Sequence, residues 1–130
     1  MAAPNIVNVA TITGITSAVS GIATIGVTDG ITTVVTNAAS SGKVLKINSL
    51  VAASIGSTTG VTLQYFNHVN HASAASTVSI GMTLSVPTFS TLAVITKDNS
   101  VYLEENTALG IFAQPNTGTI DVVCSYEEIS

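Results

Sequence analysis

Short runs of β-branched and apolar residues, separated by small polar residues, glycine and proline, extend along the whole chain. Thr, Val and Ile dominate these runs, and their stiff side chains suit a pleated strand better than a helix. No stretch convincingly repeats its apolar positions at intervals of three and four residues, as an amphipathic helix requires. The pattern therefore predicts an all-β chain with little or no helix.

Clusters of Gly, Ser, Asn, Asp and Pro predict where the strands end. A Ser/Gly-containing break at 17–21 separates a first strand at 5–16 from a second at 22–28, and Asp29-Gly30 predicts a hairpin turn. The segment 54–60 is predicted to be another turn. Further predicted strands include 31–37, 43–53, 61–67, 77–86, a short one at 101–103, and 119–127.

The predicted fold is an antiparallel two-sheet sandwich, jelly-roll-like, with about eight strands and an extended N-terminal arm. Two sheets allow both apolar faces to meet, whereas a single sheet would leave one face exposed. The length of 130 residues is that of one domain. Within it we distinguish a Thr/Gly-rich segment, 1–36, from a β-sandwich core, 37–130. The segment 1–36 is either an arm that docks on a neighbouring chain or an edge hairpin of the same domain, and the sequence leaves both open.

Charged residues are scarce, at 8% of the chain, against roughly 25% in an ordinary soluble domain. A surface of hydroxyl and methyl groups carries little charge repulsion, so it packs readily against a neighbouring subunit. We therefore expect a homo-oligomer, a trimer or a higher ring. The segment 1–36 has Asp29 as its only ionisable side chain, which suits docking on a neighbour. Its candidate interface residues are Ile6, Val7, Val9, Ile12 and Ile15.

The charge balance argues against two classes of partner. The net charge is −4, with three lysines and no arginine, whereas a nucleic-acid-binding protein needs clustered cations to neutralise phosphates. The same deficit argues against binding to an anionic membrane surface. No stretch of about 18 apolar residues predicts a transmembrane helix, and the first five residues lack the basic residue of a signal peptide.

The residues able to carry chemistry are few. His68 and His71 could share a metal ion, but no Cys, Asp or Glu stands near them to complete a site, and a solvent-facing loop is the preferred interpretation. Adjacent residues of a strand point to opposite faces, so Glu104 and Glu105 are interpreted as a solvated turn. Cys124 cannot form an internal disulfide and is expected in the core, which fits assembly in a reducing cytoplasm. We expect no enzyme activity and no cofactor.

Two stretches carry a resemblance to a known group of proteins. The first is Ser-Ser-Gly-Lys-Val-Leu-Lys-Ile-Asn-Ser-Leu at 40–50. The second runs from Pro87 through Leu-Ala-Val-Ile-Thr-Lys-Asp at 92–98 and Tyr-Leu-Glu-Glu at 102–105 to Val-Val-Cys-Ser-Tyr-Glu-Glu-Ile-Ser at 122–130. Tyr-Leu-Glu-Glu and Ser-Tyr-Glu-Glu, at 125–128, are the most specific parts. With them, the chain from about residue 40 onward resembles small virion structural proteins of tailed phages, especially those infecting marine cyanobacteria. In that group a glycine usually follows the acidic turn. Here Asn106 takes the place, and asparagine also tolerates positive φ.

The resemblance implies a β-sandwich subunit on the capsid, neck or tail, without catalytic residues. We therefore expect a virion protein, assembled in the host cytoplasm and bound to its own copies and to other virion proteins, as a capsid decoration, neck or collar, or tail- or fibre-associated protein. The alternative is a carbohydrate- or receptor-binding β-sandwich module of a phage fibre, with ligand loops at one end. Such modules usually expose aromatic side chains, whereas Tyr65, Phe66, Phe89 and Phe112 are expected mostly in the core.

Overall fold

Nearly all of the described chain is extended. The computed structural model describes residues 9–23, 31–56, 59–114 and 119–130. These residues form nine strands and two single-turn 3₁₀ helices, at His71–Ser73 and Lys97–Asn99. The strands are β1 (Ile12–Ala23), β2 (Thr32–Asn37), β3 (Val44–Ile55), β4 (Thr59–Phe66), β5 (Thr77–Val86), β6 (Thr91–Ile95), β7 (Val101–Leu103), β8 (Thr107–Gln114) and β9 (Thr119–Ile129). The predicted all-β fold is confirmed.

The first sheet has the order β1-β9-β3, with β6 and β7 sharing the far side of β3. β7 pairs with the beginning of β3, over Leu45–Ile47, and β6 pairs with its second half, over Leu50–Ala53. β3 is therefore long enough to hold two short strands end to end. All of these pairings are antiparallel.

The second sheet has the order β2-β8-β4-β5, again with antiparallel pairing throughout. The two sheets pack face to face, as the predicted sandwich requires. Alternate residues of the inner strands point into the space between the sheets, because successive side chains of a strand face opposite ways. The fully buried large side chains are Phe66, Ile47, Leu50, Leu63, Ile95, Leu103, Leu109, Ile111, Ile120, Val61, Val86 and Val122.

β8 is buried on both of its faces. Leu109 and Ile111 face the core between the sheets, while Ala108 and Gly110, on the opposite face, are buried as well. The Phe66 ring lies across Gly110 on that outer face: a Cβ atom built on Gly110 would stand 2.9 Å from Phe66 Cε1. The absent side chain at position 110 thus makes room for a buried aromatic ring outside the main core.

Two boundaries differ from the sequence prediction. The break predicted at 17–21 is wrong, because β1 runs through it, with a shift of register against β9 between Val19 and Ile22. Gly21 adopts a φ of +66° there, and its amide donates a hydrogen bond of 2.8 Å to Asp121 Oδ1. The turn predicted at 54–60 is shorter than expected, because β3 extends to Ile55 and β4 begins at Thr59. The turn predicted at Asp29-Gly30 lies outside the described residues.

In the part of the chain that the structure describes, β1 and β2 belong to different sheets. There β1 lies at the edge of the first sheet, beside β9, and β2 lies at the edge of the second, beside β8. The Ser17 hydroxyl donates to the Val34 carbonyl at 3.3 Å and links the two edges. Residues 12–23 are therefore incorporated into the sandwich of their own chain.

Candidate functional site

The two histidines proposed as weak metal ligands lie in and after the loop that leaves β4. His68 is half-buried, and its Nδ1 accepts a hydrogen bond of 3.0 Å from the amide of Asn70. His71 begins the first 3₁₀ helix, and its side chain lies outside the described residues. In the part of the chain that the structure describes, no three His, Cys, Asp or Glu residues come together in a metal-binding group. The Nδ1 of His68 therefore has a local structural role in this loop.

Cys124 is buried in β9, as its strand position predicts. Removal from water disfavours the thiolate and raises the pKa of the thiol to about 11. Because the thiolate is the nucleophilic form, this cysteine acts as a small core residue.

The acidic turn before β8 has a defined structural task. Glu105 Oε1 accepts a hydrogen bond of 2.9 Å from the amide of Gly42, and the Thr107 hydroxyl donates to the Glu104 carbonyl at 2.7 Å. Asn106 between them has a φ of +60°, the left-handed conformation expected from the sequence. The turn therefore fastens the loop after β2 to the loop before β8.

Asn37 occupies the centre of this end of the sandwich and is almost fully buried. Its Nδ2 donates to two carbonyls, those of Lys43 at 2.8 Å and Leu103 at 3.0 Å. Its Oδ1 accepts a hydrogen bond of 2.6 Å from the Ser41 hydroxyl. One side chain thus joins β2 of the second sheet to the beginning of β3 and to β7 of the first. Its role had no visible signal in the sequence beyond an Asn at the end of a strand.

Three of the segments that carry the phage resemblance, 40–50, 102–105 and 125–128, come together at this same end. The first half of β3 lies between β7 and the last residues of β9, so that Lys46 stands opposite Tyr102 on one side and Glu127 on the other. Lys43 Nζ and Glu128 Oε1 form an ion pair of 2.6 Å beside them. Segments that are far apart in the sequence therefore form one continuous structural unit.

The proposed interface residues are only partly described. Ile6 and Val7 lie outside the described residues, and Val9 is half-buried. Ile12 is 60% exposed, whereas Ile15 is half-buried and stands opposite Tyr126, which packs against the core. Of the three candidates that the structure describes, Ile12 is the most exposed to solvent.

Four of the exposed large apolar side chains of the described residues lie elsewhere, in β5 and the turn after it. Val78, Ile80 and Met82 of β5 are all exposed, Met82 by 70%. Phe89, in the turn between β5 and β6, is 78% exposed, so the expectation that it belongs to the core is wrong. Its position in a tight turn takes it away from the space between the sheets. The other aromatic residues differ, since Phe66 is fully buried and Tyr65 packs against the core.

The turn that carries Phe89 is closed by two hydrogen bonds to the Pro87 carbonyl, from the Ser90 amide at 3.1 Å and the Ser90 hydroxyl at 2.8 Å. Phe89 is the third of its four residues and has a φ of +52°. A positive φ at this position favours glycine, and for a bulky residue it is strained. The Pro87 to Ser90 sequence could have indicated the turn, but it does not indicate that an aromatic ring would occupy the glycine position.

Comparisons with known proteins add no family to this description. No protein-family model matches the chain, and no curated protein sequence matches it. In the described residues, no helix has both the length and the apolar character needed to cross a membrane.

Proposed function

We propose that this chain is a non-enzymatic structural subunit of a tailed-phage particle that works by assembling with its own copies and with other virion proteins. Its place is that of a capsid decoration, neck or collar, or tail- or fibre-associated protein, and it is assembled in the host cytoplasm. The observation that carries the proposal is a concentration of exposed apolar side chains, Val78, Ile80, Met82 and Phe89, on a protein with very few charges.

Exposed apolar residues mark an interaction surface when they cluster on a soluble protein. Four of them fall within residues 78–89, and the residues around them offer hydroxyl and methyl groups in place of charges. A surface of this kind loses little hydration on contact with another protein. Each square ångström of apolar area buried in such a contact contributes roughly 25 cal/mol before the costs of association.

The phage assignment is supported by the segments that resemble virion proteins. They lie side by side in β3, β7 and β9 and share the contacts of one end of the sandwich. Glu105 and Glu128, the final residues of the two acidic elements, each hold the loop that leads into β3, through the Gly42 amide and the Lys43 side chain. The resembling residues therefore have a common structural purpose, which is what a shared fold requires.

The non-enzymatic character is supported by the structural roles of the side chains that could carry chemistry. Cys124 is buried with a raised thiol pKa, and His68 accepts a backbone hydrogen bond within its own loop. Glu105 and Lys43 hold a loop and a strand end. Each of these groups contributes to the scaffold.

The proposal is tested by mass spectrometry of purified phage particles from the source of this sequence, with the copy number of the chain determined against the major capsid protein. We expect the chain to be present in a fixed ratio. Copies in the hundreds would assign it to the capsid, and a few to a few dozen would assign it to the neck or tail. Its absence from washed, infectious particles would refute the proposal.

The alternative, a carbohydrate- or receptor-binding module, is favoured by one observation: Phe89 and Tyr102 both expose their rings. Exposed aromatic rings are the side chains on which sugars stack. A glycan array tests this function, with Phe89→Ala and Tyr102→Ala as variants. Saturable binding that is lost in either variant would favour the binding module over the structural subunit.

A further inference from the structure

One side of the sandwich is formed by β5, β6 and the turn between them. β5 is the last strand of the second sheet and, in the described part of the chain, pairs with β4 alone. β6 belongs to the other sheet, where it pairs with β3. The two strands contact each other across the side of the sandwich. We call this region, residues 77–95, the β5–β6 side.

We propose that the β5–β6 side is the surface on which a second copy of this chain packs, with Phe89 as its anchor. The inference rests on the proposed function, because it identifies the contact through which the subunit assembles. Val78, Ile80 and Met82 add further exposed apolar side chains along β5, which leads into the turn that carries Phe89.

The charge distribution favours a second copy as the occupant. The molecule carries a net charge of −4, and residues 72–96 contain no ionisable side chain at all. Two identical acidic molecules repel each other where their charged surfaces meet. The β5–β6 side lets them meet without bringing like charges together, whereas a partner selected by its charge would find nothing complementary on it.

The edge lacks the charged residues and the proline that often keep molecules apart. Soluble proteins protect edge strands with lysine, inward-pointing charges or proline, and β5 has none of them between Thr77 and Val86. Its pairing with β4 is irregular at two places, on either side of Leu63, and an irregular edge does not add a regular strand. The contact is therefore expected to consist of side-chain packing.

Backbone strain is concentrated in this same region. Thr83 and Phe89 are two of the four non-glycine residues with positive φ in the described chain, at +47° and +52°. The Thr83 amide donates to the Thr62 hydroxyl at 3.0 Å, which holds the irregular part of β5 in place. Strained residues that persist are a pointer to function. A glycine at position 89 would relieve the strain. The chain has a phenylalanine there instead, and its ring is exposed to solvent.

A homotypic contact explains these features together. When the same surface of two copies meets across a two-fold axis, each residue of the patch contacts its equivalent region on the other copy. Apolar groups then face apolar groups. Such a two-fold contact is compatible with a dimer and with a ring of dihedral symmetry.

The test is sedimentation equilibrium and native mass spectrometry of the purified full-length protein over a wide range of concentrations. We expect the wild type to associate, and Phe89→Gly to raise the dissociation constant by at least about tenfold. At a concentration where both proteins are monomeric, the same variant should keep or raise the melting temperature, because glycine adopts positive φ without steric cost. Met82→Lys should weaken association as strongly, because it places like charges across the contact.

The matched controls are Tyr102→Ala and Val123→Lys, which change exposed residues of the first sheet and should leave association unchanged. If the wild type associates and neither Phe89→Gly nor Met82→Lys weakens it, the inference is overturned while the oligomeric subunit stands. If the wild type stays monomeric at every concentration, the second-copy contact is overturned. The particle experiment then decides the proposed function independently.

Discussion

At the scale of single residues, Asn37 shows how one buried amide holds two sheets together. Its amide group donates to the Leu103 carbonyl of the first sheet and to the Lys43 carbonyl directly before β3, while its own strand belongs to the second sheet. Only an amide supplies two donors and one acceptor in this arrangement. The identity of the residue is therefore more restrictive than its size or polarity.

We predict that Asn37→Asp destabilises the fold by about 2–4 kcal/mol at neutral pH. A carboxylate in place of the amide would face the carbonyls of Lys43 and Leu103 with oxygen atoms and no donor. Burial beside these carbonyls favours the protonated acid, so the variant should regain stability as the pH falls below the carboxyl pKa. Urea unfolding at several pH values measures this. Ser41→Ala removes the hydroxyl that donates to Asn37 Oδ1 and accepts from the Lys43 amide. Because both contacts are only partly buried, this variant should cost only about 1 kcal/mol, and an equal loss in both variants would contradict the prediction.

A second residue-scale prediction concerns Cys124 and alkaline pH. The folded state raises the thiol pKa from 9.0 to about 11, so between these values the unfolded chain loses a proton that the folded chain keeps. The associated stability is complete below about pH 9 and is lost as the pH rises through about 11, a loss of about 2 kcal/mol. Burial, followed by the charges of Glu128 and Cys124, raises the pKa of Tyr126 and adds a loss of the same sign.

The free energy of unfolding in urea between pH 8 and pH 11 measures this loss. Cys124→Ala is the control: it costs some core packing at every pH, but its stability should fall less steeply above pH 9. Parallel pH profiles for the two proteins would show that the thiol does not contribute.

Single residues were predicted well where local chemistry decides and poorly where packing decides. The positive φ of Asn106 follows from the tolerance of asparagine for that conformation. The burial of Cys124 follows from its place in an alternating strand. Phe89 was expected in the core because it follows a strand closely, and nothing local shows that a turn directs it outward.

At the scale of the elements, β8 is the most enclosed strand, and Gly110 makes this possible. We predict that Gly110→Ala destabilises the protein by about 1–3 kcal/mol. The added methyl group would overlap Ile31 Cγ2 and stand 2.9 Å from the buried Phe66 ring. Gly14→Ala is the matched control in β1, because a Cβ there meets nothing within 4 Å. Thermal unfolding of both variants checks the prediction, and equal melting temperatures would contradict it.

The strands should also differ in local stability. β8 has partners on both sides and is buried on both faces, whereas β5 lies at an edge and is mostly exposed. We predict that, in the monomeric protein, amide hydrogens in the middle of β8 exchange at least about a hundredfold more slowly than those of β5. Hydrogen exchange followed by NMR measures this. Comparable protection in monomeric protein would show that β5 is stabilised in a way that its exposure does not reveal.

The sequence predicted most strands because alternation and turn residues act locally. β5 and β7 have the predicted bounds. The continuous course of β1 was not predictable. Gly21 lies at a register shift within the strand, where its amide donates a hydrogen bond to Asp121 of β9, and the sequence does not show this contact. A glycine among serines is typical of a loop until the neighbouring strand is known.

At the scale of the whole molecule, the fold is closed by contacts between distant parts of the sequence. β1 pairs with β9 along most of its length, and β9 lies between β1 and β3. This order could not be predicted from periodicity, which reports the face of a strand but not its neighbour. What could be predicted was the two-sheet sandwich itself, because about eight amphipathic strands must cover two apolar faces.

We predict that this topology makes folding slow. Sandwiches dominated by distant pairings fold in milliseconds to seconds, because the loops must close before the contacts form. Stopped-flow refolding from urea, at a concentration where the protein is monomeric, measures the rate. Complete refolding within about 100 microseconds would contradict the prediction and would indicate that local pairs such as β4 and β5 determine the rate.

The uncharged stretch that covers the β5–β6 side has a consequence for the solution conditions that the proposed contact between copies should tolerate. A contact without ionic groups contains no electrostatic attraction that dissolved salt could screen. Higher ionic strength should therefore leave the proposed contact unchanged, and sulfate, which is excluded from protein surfaces, should strengthen it. Cooling should weaken it, because the free energy of apolar burial becomes less favourable in the cold. Temperature, and not salt concentration, is thus the condition to which the proposed contact should respond most.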